Sequence, residues 1–318
     1  MKKSNIKNIL LIILIGILIG ITYLYTSSWH PIDTNNPYPS IEETSSLETL
    51  GFIAYWSIPN NVPDLDYIAL FALTPTENGW VNLFPNHFTL PIQNSKLLWT
   101  LKIHSEDYTD WLRTSEEITY MIHKLAPYMN KSDGVVVNLE AWQHYIKLGE
   151  ILKTLHDMYP NKILMVTLPS WGLPIPSNLY MTTDRFILMA YDYDFQNGIL
   201  APLDKVETSI KFYQNISSKL LLGIPLYGYQ YVNGKYIAIP IELIETSSVT
   251  YTENHEAMAS GKQGPVIWNN LETIERKIQL IHKYQLKGIA LWTIGYTSET
   301  FIDTINKLIE QESTTSTR

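Results

Sequence analysis

The segment from Asp133 to Glu140 contains the residues whose types and spacing are best suited to chemistry. It reads Asp-Gly-Val-Val-Val-Asn-Leu-Glu, an apolar run that ends in an amide and a carboxyl group. Alternate residues of a β-strand share a face, so Val136, Asn138 and Glu140 point to the same side. Burying such polar groups is costly unless they have partners or a function. At the C-terminal end of a parallel strand, this pattern predicts a ligand or catalytic site.

Apolar, β-rich segments recur along the chain and must position this pair. The eight candidate strands are Gly51–Trp56, Tyr67–Leu73, Leu97–Ile103, Gly134–Leu139, Ile163–Leu168, Phe186–Tyr191, Leu220–Ile224 and Gly288–Trp292. Most are apolar on both faces, which is typical of parallel strands covered by helices. A capping box at Thr114–Glu117 predicts a helix that continues to about Met129. The gap from Tyr229 to Asn270 predicts a small hairpin around Val232–Lys235.

Eight such units predict an α/β fold, specifically a (β/α)8 TIM barrel over residues 50–312, followed by a polar tail at 313–318. A doubly wound open sheet is the alternative. No glycine-rich phosphate loop follows the first strand, which disfavours a nucleotide-binding version of that sheet.

The N-terminal residues predict a membrane segment. Three lysines in the first seven residues precede an uncharged, Ile- and Leu-rich stretch from Asn8 to Tyr25, about the length that crosses a bilayer as a helix. We interpret residues 1–28 as an uncleaved signal anchor, a transmembrane helix, because no clear cleavage site follows; a cleaved signal peptide and secretion are the alternative. The positive-inside rule then predicts a single-pass membrane protein with its barrel outside the cytoplasm. Residues 29–49, rich in Pro, Ser and Thr, predict a stalk.

Composition excludes several function classes. The formal net charge of -8 argues against a nucleic-acid partner, because no basic run offsets it. The absence of cysteine excludes disulfides and zinc–thiolate sites. Neither a metal nor another cofactor is expected, since the histidines lack the spacing of metal ligands. The sequence does not indicate an oligomeric state.

Four segments together resemble glycoside hydrolase family 18. Asp133–Glu140 is similar to its strand-4 signature, D-G-x-D-x-D-x-E, and Met189–Asp192 is similar to its strand-6 motif, M-x-Y-D. Leu222–Tyr229 resembles the strand-7 segment, and Trp292 stands where the family keeps a tryptophan under the sugar. The matches occur in family order on predicted strands. The ending from Trp268 to Trp292 looks most like the compact bacterial branch of spore-cortex and cell-wall lytic enzymes.

The resemblance implies retaining hydrolysis of β-1,4 bonds at N-acetylglucosamine, in which the substrate's own acetamide oxygen attacks the anomeric carbon. It assigns Glu140 as general acid and then base, and Tyr191 as a hydrogen-bond donor to the acetamide. Asn138 stands where the family has Asp, so it can accept the acetamide N–H without bringing a charge. Val136 replaces a further Asp. We expect apolar neighbours to desolvate Glu140 and keep it protonated near neutral pH.

By the same resemblance, the partner is an N-acetylglucosamine-containing glycan, from peptidoglycan or a chitin-type oligomer. The predicted substrate-binding residues are Trp292, Asp192, Met189, Tyr55 and Phe71. Asp192 could alternatively support its own loop.

Two neighbouring positions keep a second function open. The alternative to an enzyme is a catalytically weak or inactive, lectin-like barrel, because Val136 and Asn138 remove two acidic groups of the signature. A structural role is expected for Asp133, which opens the strand.

Overall fold

The computed structural model describes residues 46–315, apart from residues 87, 91, 93, 105, 106, 108, 109, 141–144, 245–248, 254, 262 and 263. The strands are β1 Glu48–Ala54, β2 Tyr67–Thr76, β3 Gly79–Asn82, β4 Lys96–Ile103, β5 Gly134–Leu139, β6 Ile163–Pro169, β7 Arg185–Met189, β8 Leu220–Pro225, β9 Tyr227–Val232, β10 Lys235–Pro240, β11 Thr250–Tyr251, β12 Ala257–Gly261, β13 Gly264–Trp268 and β14 Gly288–Trp292. The α-helices are α1 Ser115–His123, α2 Ala126–Met129, α3 Tyr145–Met158, α4 Ser177–Thr182, α5 Leu203–Phe212, α6 Leu271–Lys283 and α7 Glu299–Thr315.

Eight of the strands close into a parallel barrel. They pair in the order β1-β14-β8-β7-β6-β5-β4-β2, and β2 pairs back with β1. The predicted TIM barrel is therefore confirmed, and the open sheet is excluded. Because the strands are parallel, their C-terminal ends meet at one end of the barrel, where barrel enzymes place their active sites.

Apolar side chains from alternate positions of the barrel strands fill the lower part of the lumen. Leu50, Phe52 and Ala54 of β1 share one buried cluster with Val136 of β5. Val136 is fully buried, so the valine that replaces an expected Asp packs as core. Two residues further along β5, towards its C-terminal end, the next side chain on this face is polar: that of Asn138, which is also buried.

An ion-pair cluster lies at the opposite, N-terminal end of the barrel. The guanidinium of Arg185 on β7 binds the Glu48 carboxylate on β1 through Nη2–Oε1 at 2.5 Å and Nε–Oε2 at 2.6 Å. Lys287 Nζ lies 3.4 Å from the same Oε1. Burial by itself raises the pKa of Glu48, but Arg185 and Lys287 outweigh it and hold the pKa below its ordinary value. The cluster ties β1 to β7, a strand with which it does not pair.

The helix predicted from Thr114 is shorter than expected. The capping box is present: the Thr114 side chain accepts from Glu117 N–H, and the Glu117 carboxylate accepts from Thr114 N–H. Helix α1 nevertheless ends at His123 rather than near Met129. Pro127 lies in the first turn of the separate helix α2, which begins at Ala126, since a proline has no N–H with which to continue the hydrogen-bond ladder of α1.

A second sheet is inserted after β8. Its strand order is β10-β9-β13-β12-β11, and all of its pairings are antiparallel. The predicted hairpin is confirmed as β9 and β10, joined by Asn233 and Gly234 with φ of 50° and 82°, values that suit this dipeptide in a tight hairpin turn. The sequence prediction of a small hairpin underestimated the insertion, because β11–β13 are short and only weakly apolar.

Other element ends differ from the prediction. Strand β1 begins at Glu48 rather than Gly51 and ends at Ala54, so Tyr55 and Trp56 lie in the turn after it. Strand β7 ends at Met189, which places Tyr191 in the following loop. The predicted anchor at residues 1–28, and the stalk up to residue 45, lie outside the described residues. Within the part that the structure describes, no helix combines the length and apolar character that a bilayer span requires.

Candidate active site

Asn138 is the buried polar residue at the C-terminal end of β5. Its Oδ1 accepts a hydrogen bond from Thr167 Oγ1 on the neighbouring strand β6 at 2.9 Å. Its Nδ2 donates to Glu140 Oε1 at 2.9 Å. The amide is therefore oriented by two partners, and its N–H rather than its oxygen faces Glu140.

Glu140 lies one residue beyond β5, where its N–H still donates to the Ile103 carbonyl of β4 at 2.8 Å. Its side chain is 43% exposed, and Oε2 lies 3.2 Å from His104 Nδ1. The expectation that apolar neighbours desolvate this carboxyl is wrong. The side chain lies at the solvent-accessible C-terminal mouth of the barrel, which we call the cleft, and there Asn138 and His104 hold its two oxygens.

Asp133, at the other end of β5, has the structural role that the sequence predicted. Its Oδ2 accepts from Leu97 N–H at 2.8 Å, and its own N–H donates to the Leu97 carbonyl at 2.7 Å. This pair fixes the start of β5 against β4, far along the strand from Glu140.

The loop after β7 carries Tyr191 and Asp192. Asp192 adopts a φ of 57°, which is uncommon for a residue with a side chain, and its Oδ1 accepts hydrogen bonds from the hydroxyls of Tyr227 and Tyr229. Of the two roles considered for Asp192, loop support is thus visible in its contacts. Burial, together with the charges of Asp192 and Glu140, raises the pKa of Tyr191 well above its ordinary value. Its hydroxyl therefore remains a hydrogen-bond donor at any working pH.

Aromatic rings form another wall of the cleft. The partly exposed ring of Trp292, at the end of β14, packs edge-on against Phe71 with ring centroids 4.6 Å apart. Phe71 is only 5% exposed, so it supports the tryptophan more than it offers a surface of its own. Tyr55 is partly buried and packs edge-on against Trp56, whose ring is 48% exposed.

Met189 is the last residue of β7 and is partly buried. Like Trp292, it lies at the C-terminal end of a barrel strand. The site residues predicted from the sequence therefore meet at the same end of the barrel: most stand at or just after the ends of β1, β5, β7 and β14, and Phe71, in the middle of β2, contacts Trp292 from below.

Sequence reasoning missed three residues that contact the predicted ones. His104 directly follows β4 and pairs with Glu140, Lys102 lies in register with Asn138, and Trp56 extends the aromatic wall. The sequence offered one indication of these residues: Lys102 and His104 stand at the C-terminal end of the third predicted strand, where barrel enzymes place their active sites.

The fold is that of the chitinase-like glycoside hydrolases, as the resemblance predicted. Similar solved structures include the spore cortex-lytic enzyme SleL of Bacillus cereus (TM-score 0.69, 14% identity, covering 85% of this chain and 76% of SleL). They also include a class V chitinase from Nicotiana tobaccum (TM-score 0.68, 14% identity, 84% and 98% covered). A third is a mutant of the group II chitinase of Ostrinia furnacalis in complex with (NAG)5 (TM-score 0.67, 13% identity, 83% and 97% covered).

Sequence comparison finds a more limited likeness. A Bacillus subtilis protein, YdhD, that is proposed to be a sporulation-specific glycosylase is 26% identical over 140 residues. That match covers 35% of this chain and 32% of YdhD, so only about a third of the relative's length is represented. No protein-family model matches the chain.

Proposed function

We propose that this protein is a glycoside hydrolase that cleaves β-1,4 bonds at N-acetylglucosamine residues by a retaining, substrate-assisted mechanism. The observation that carries the proposal is the placement of Glu140. It is a carboxyl group at the mouth of a barrel, held on one oxygen by Asn138 and on the other by His104. Its exposure lets it reach a glycosidic oxygen in the cleft, as a general acid must.

The neighbouring groups suit an acetamide that acts as the nucleophile. The protonated hydroxyl of Tyr191 can donate to the acetamide oxygen and orient it. Asn138 Oδ1 already accepts from Thr167, but an amide oxygen has a second lone pair with which to accept the acetamide N–H. Trp292 supplies a partly exposed flat ring for the sugar face. The proposed mechanism needs no metal and no protein nucleophile.

The amide at position 138 lowers the expected rate. A hydrogen bond from a developing cation to a carboxylate exceeds the bond to a neutral amide by about 1 kcal/mol. That difference corresponds to about tenfold in rate, and the loss of a preorganised charge adds to it. We therefore expect a slow enzyme rather than an inactive one.

The decisive experiment compares the full-length protein with Glu140→Gln on a fluorogenic N-acetylglucosamine oligomer. Removing the general acid should lower kcat by at least about a hundredfold, while the melting temperature stays near that of wild type. Glu310→Gln, on an exposed position of α7, is the matched control and should keep full activity. Equal rates for wild type and Glu140→Gln would contradict the proposal.

A thiazoline mimic of the cyclised acetamide tests the substrate-assisted step separately. We expect competitive inhibition of wild type and weaker inhibition of Tyr191→Phe, because the donor to the acetamide oxygen is lost. A wild-type enzyme that hydrolyses the oligomer but is indifferent to the mimic would point to a different nucleophile.

The second candidate function is a lectin-like barrel. It is favoured by the neutral side chains of Val136 and Asn138, which leave Glu140 without the acidic neighbours of the family signature. Calorimetric binding of the oligomer by wild type and Glu140→Gln alike, with turnover by neither, would support this candidate over the enzyme.

For location, we propose that residues 8–25 anchor the chain in the cell membrane with the barrel outside the cytoplasm. The support is the length and apolar character of that stretch and the three lysines before it. In membranes from expressing cells, the full-length chain should resist alkaline extraction. A shortened chain in the medium would instead favour signal cleavage.

A further inference from the structure

Lys102 places a cationic side chain at the floor of the cleft. Leu98, Thr100 and Lys102 are alternate residues of β4, so Lys102 is on the same face of the strand as Leu98, whose side chain lies in the lumen. Lys102 is also in register with Asn138 on β5. Its side chain is partly buried. A lysine at this depth costs desolvation, so its presence needs a compensating interaction.

Aromatic rings supply part of that compensation. Lys102 Nζ lies 5.3 Å from the ring centroid of Tyr55, 5.3 Å from that of Phe71 and 5.8 Å from that of Trp56. These distances are within the range of cation–π attraction. The rings stabilise the positive charge of Lys102, but they offer no good hydrogen-bond acceptor to its three ammonium N–H groups.

The carboxylates nearby do not pair with Lys102. Among the described residues, its Nζ makes no hydrogen bond or ion pair, while the oxygens of Glu140 contact Asn138 and His104 instead. Burial lowers the pKa of Lys102, and the longer-range charges of Glu140 and Asp107 oppose that shift. The ammonium N–H groups therefore remain available to a ligand in the cleft.

This cation conflicts with the reaction unless the substrate compensates for it. Substrate-assisted cleavage develops positive charge on the reacting sugar. The acids that would offset such a charge are replaced by Val136 and Asn138, while Lys102 adds a positive charge beside them. A neutral glycan leaves that repulsion in place. A glycan with its own carboxylate would pair with the ammonium and remove the repulsion.

We propose that Lys102 makes the site selective for amino-sugar chains that carry a carboxylate next to the reacting N-acetylglucosamine. The inference rests on the proposed function and deepens it, because it names the charge of the substrate. Alternating N-acetylglucosamine and N-acetylmuramic acid chains have this chemistry, whereas chitin-type oligomers lack it.

The test compares one alternating oligomer with the same oligomer after its carboxyl groups are reduced to alcohols. Wild type should prefer the carboxylate form by about tenfold or more in kcat/KM, the gain of a charge-assisted hydrogen bond. Lys102→Met should bring the ratio of the two substrates close to one, and Lys102→Arg should keep most of the preference. Melting temperatures identify any variant that fails to fold.

Lys96→Met is the matched control. Lys96 lies at the other end of the same strand and also contacts an aromatic ring, that of Tyr67 at 5.6 Å, so its loss should leave the wild-type ratio unchanged. A wild-type ratio near one, which needs no variant, would overturn the inference and leave the proposed hydrolysis intact. So would an unchanged ratio in a folded Lys102→Met.

Calorimetry with the same two oligomers separates failure of the proposed function from failure of this inference. If neither the wild type nor any variant hydrolyses either oligomer, the hydrolase proposal fails. Tighter wild-type binding of the carboxylate form, lost in Lys102→Met, would then still support selection by charge, and equal binding of both forms would reject it.

Discussion

Replacing Asn138 with Asp would put a second carboxylate against the general acid. In the wild type, Asn138 Nδ2 donates to Glu140 Oε1 at 2.9 Å, while Oδ1 accepts from Thr167 Oγ1. Aspartate keeps the shape and the bond from Thr167 but has no N–H to donate. Two oxygens at this distance form a hydrogen bond only when one of them carries a proton. We therefore expect the pair to retain a shared proton to higher pH, which keeps the acid form of the site populated.

The geometry sets the size of the effect. Two unit charges 2.9 Å apart repel by about 6 kcal/mol at an effective dielectric constant of about 20, and by about 1.4 kcal/mol in water. Glu140 is 43% exposed, so solvent screening moves the expected value towards the lower limit. An energy of about 1.4 kcal/mol corresponds to about one pH unit. The alkaline limb of the pH–rate profile should therefore move up by about one unit in Asn138→Asp.

The assay is kcat/KM for the fluorogenic oligomer between pH 4 and 10, with circular dichroism at each pH as a check on folding. Asn78→Asp is the matched control, because Asn78 also donates to a glutamate, Glu77, at 3.4 Å, but lies in the exposed turn between β2 and β3. Its profile should match that of wild type. If a folded Asn138→Asp keeps the wild-type alkaline limb, the contact between positions 138 and 140 does not control protonation, and the reasoning fails.

Two further predictions concern the loop after β7 and the ion-pair cluster at the N-terminal end of the barrel. Tyr229→Phe removes one of two donors to Asp192, so we expect KM for the oligomer to rise severalfold and stability to fall by about 1 kcal/mol; an unchanged KM would argue that the loop needs only Tyr227. Arg185→Met leaves the partly buried Glu48 with Lys287 as its weaker partner and should lower the free energy of unfolding in urea by about 2 kcal/mol at pH 7. Because the folded pKa of Glu48 is lowered, its stabilisation is present above pH 4.5 and is lost as the pH falls through the folded pKa. The cost of Arg185→Met should therefore shrink in acid, and an equal cost at pH 3 and pH 7 would contradict this assignment.

Much of the fold could be predicted from local patterns. The strands Gly134–Leu139 and Gly288–Trp292 have the predicted bounds, because each is a short, largely apolar run with polar residues on both sides that mark where a buried strand begins and ends. The Asn233–Gly234 turn was predictable for a similar reason, since few dipeptides tolerate two positive φ angles. The other three strands of the inserted sheet, β11–β13, were not predictable, because these short strands are stabilised by pairing with one another and with β9 rather than by a strong local pattern.

The candidate site, like the fold, could be predicted only in part. Glu140, Asn138 and Trp292 could be identified from the sequence because each stands at the end of a recognisable strand. The exposure of Glu140 could not, since it depends on whether the chain just past β5 stays in the barrel wall or leaves it. That path depends on tertiary contacts between strands, such as the hydrogen bond from Glu140 N–H to the Ile103 carbonyl.

By itself, the sequence determined that the chain forms eight parallel barrel strands and that an amide and a carboxyl group stand at the end of the fourth. Only the tertiary structure decided which partners those groups have. The parallel pairing of β4 with β5 brings Lys102 and His104 beside Asn138 and Glu140. Side-chain chemistry is a property of each residue, whereas the charge and hydrogen bonds that surround it depend on distant parts of the chain that meet only when the strands pair.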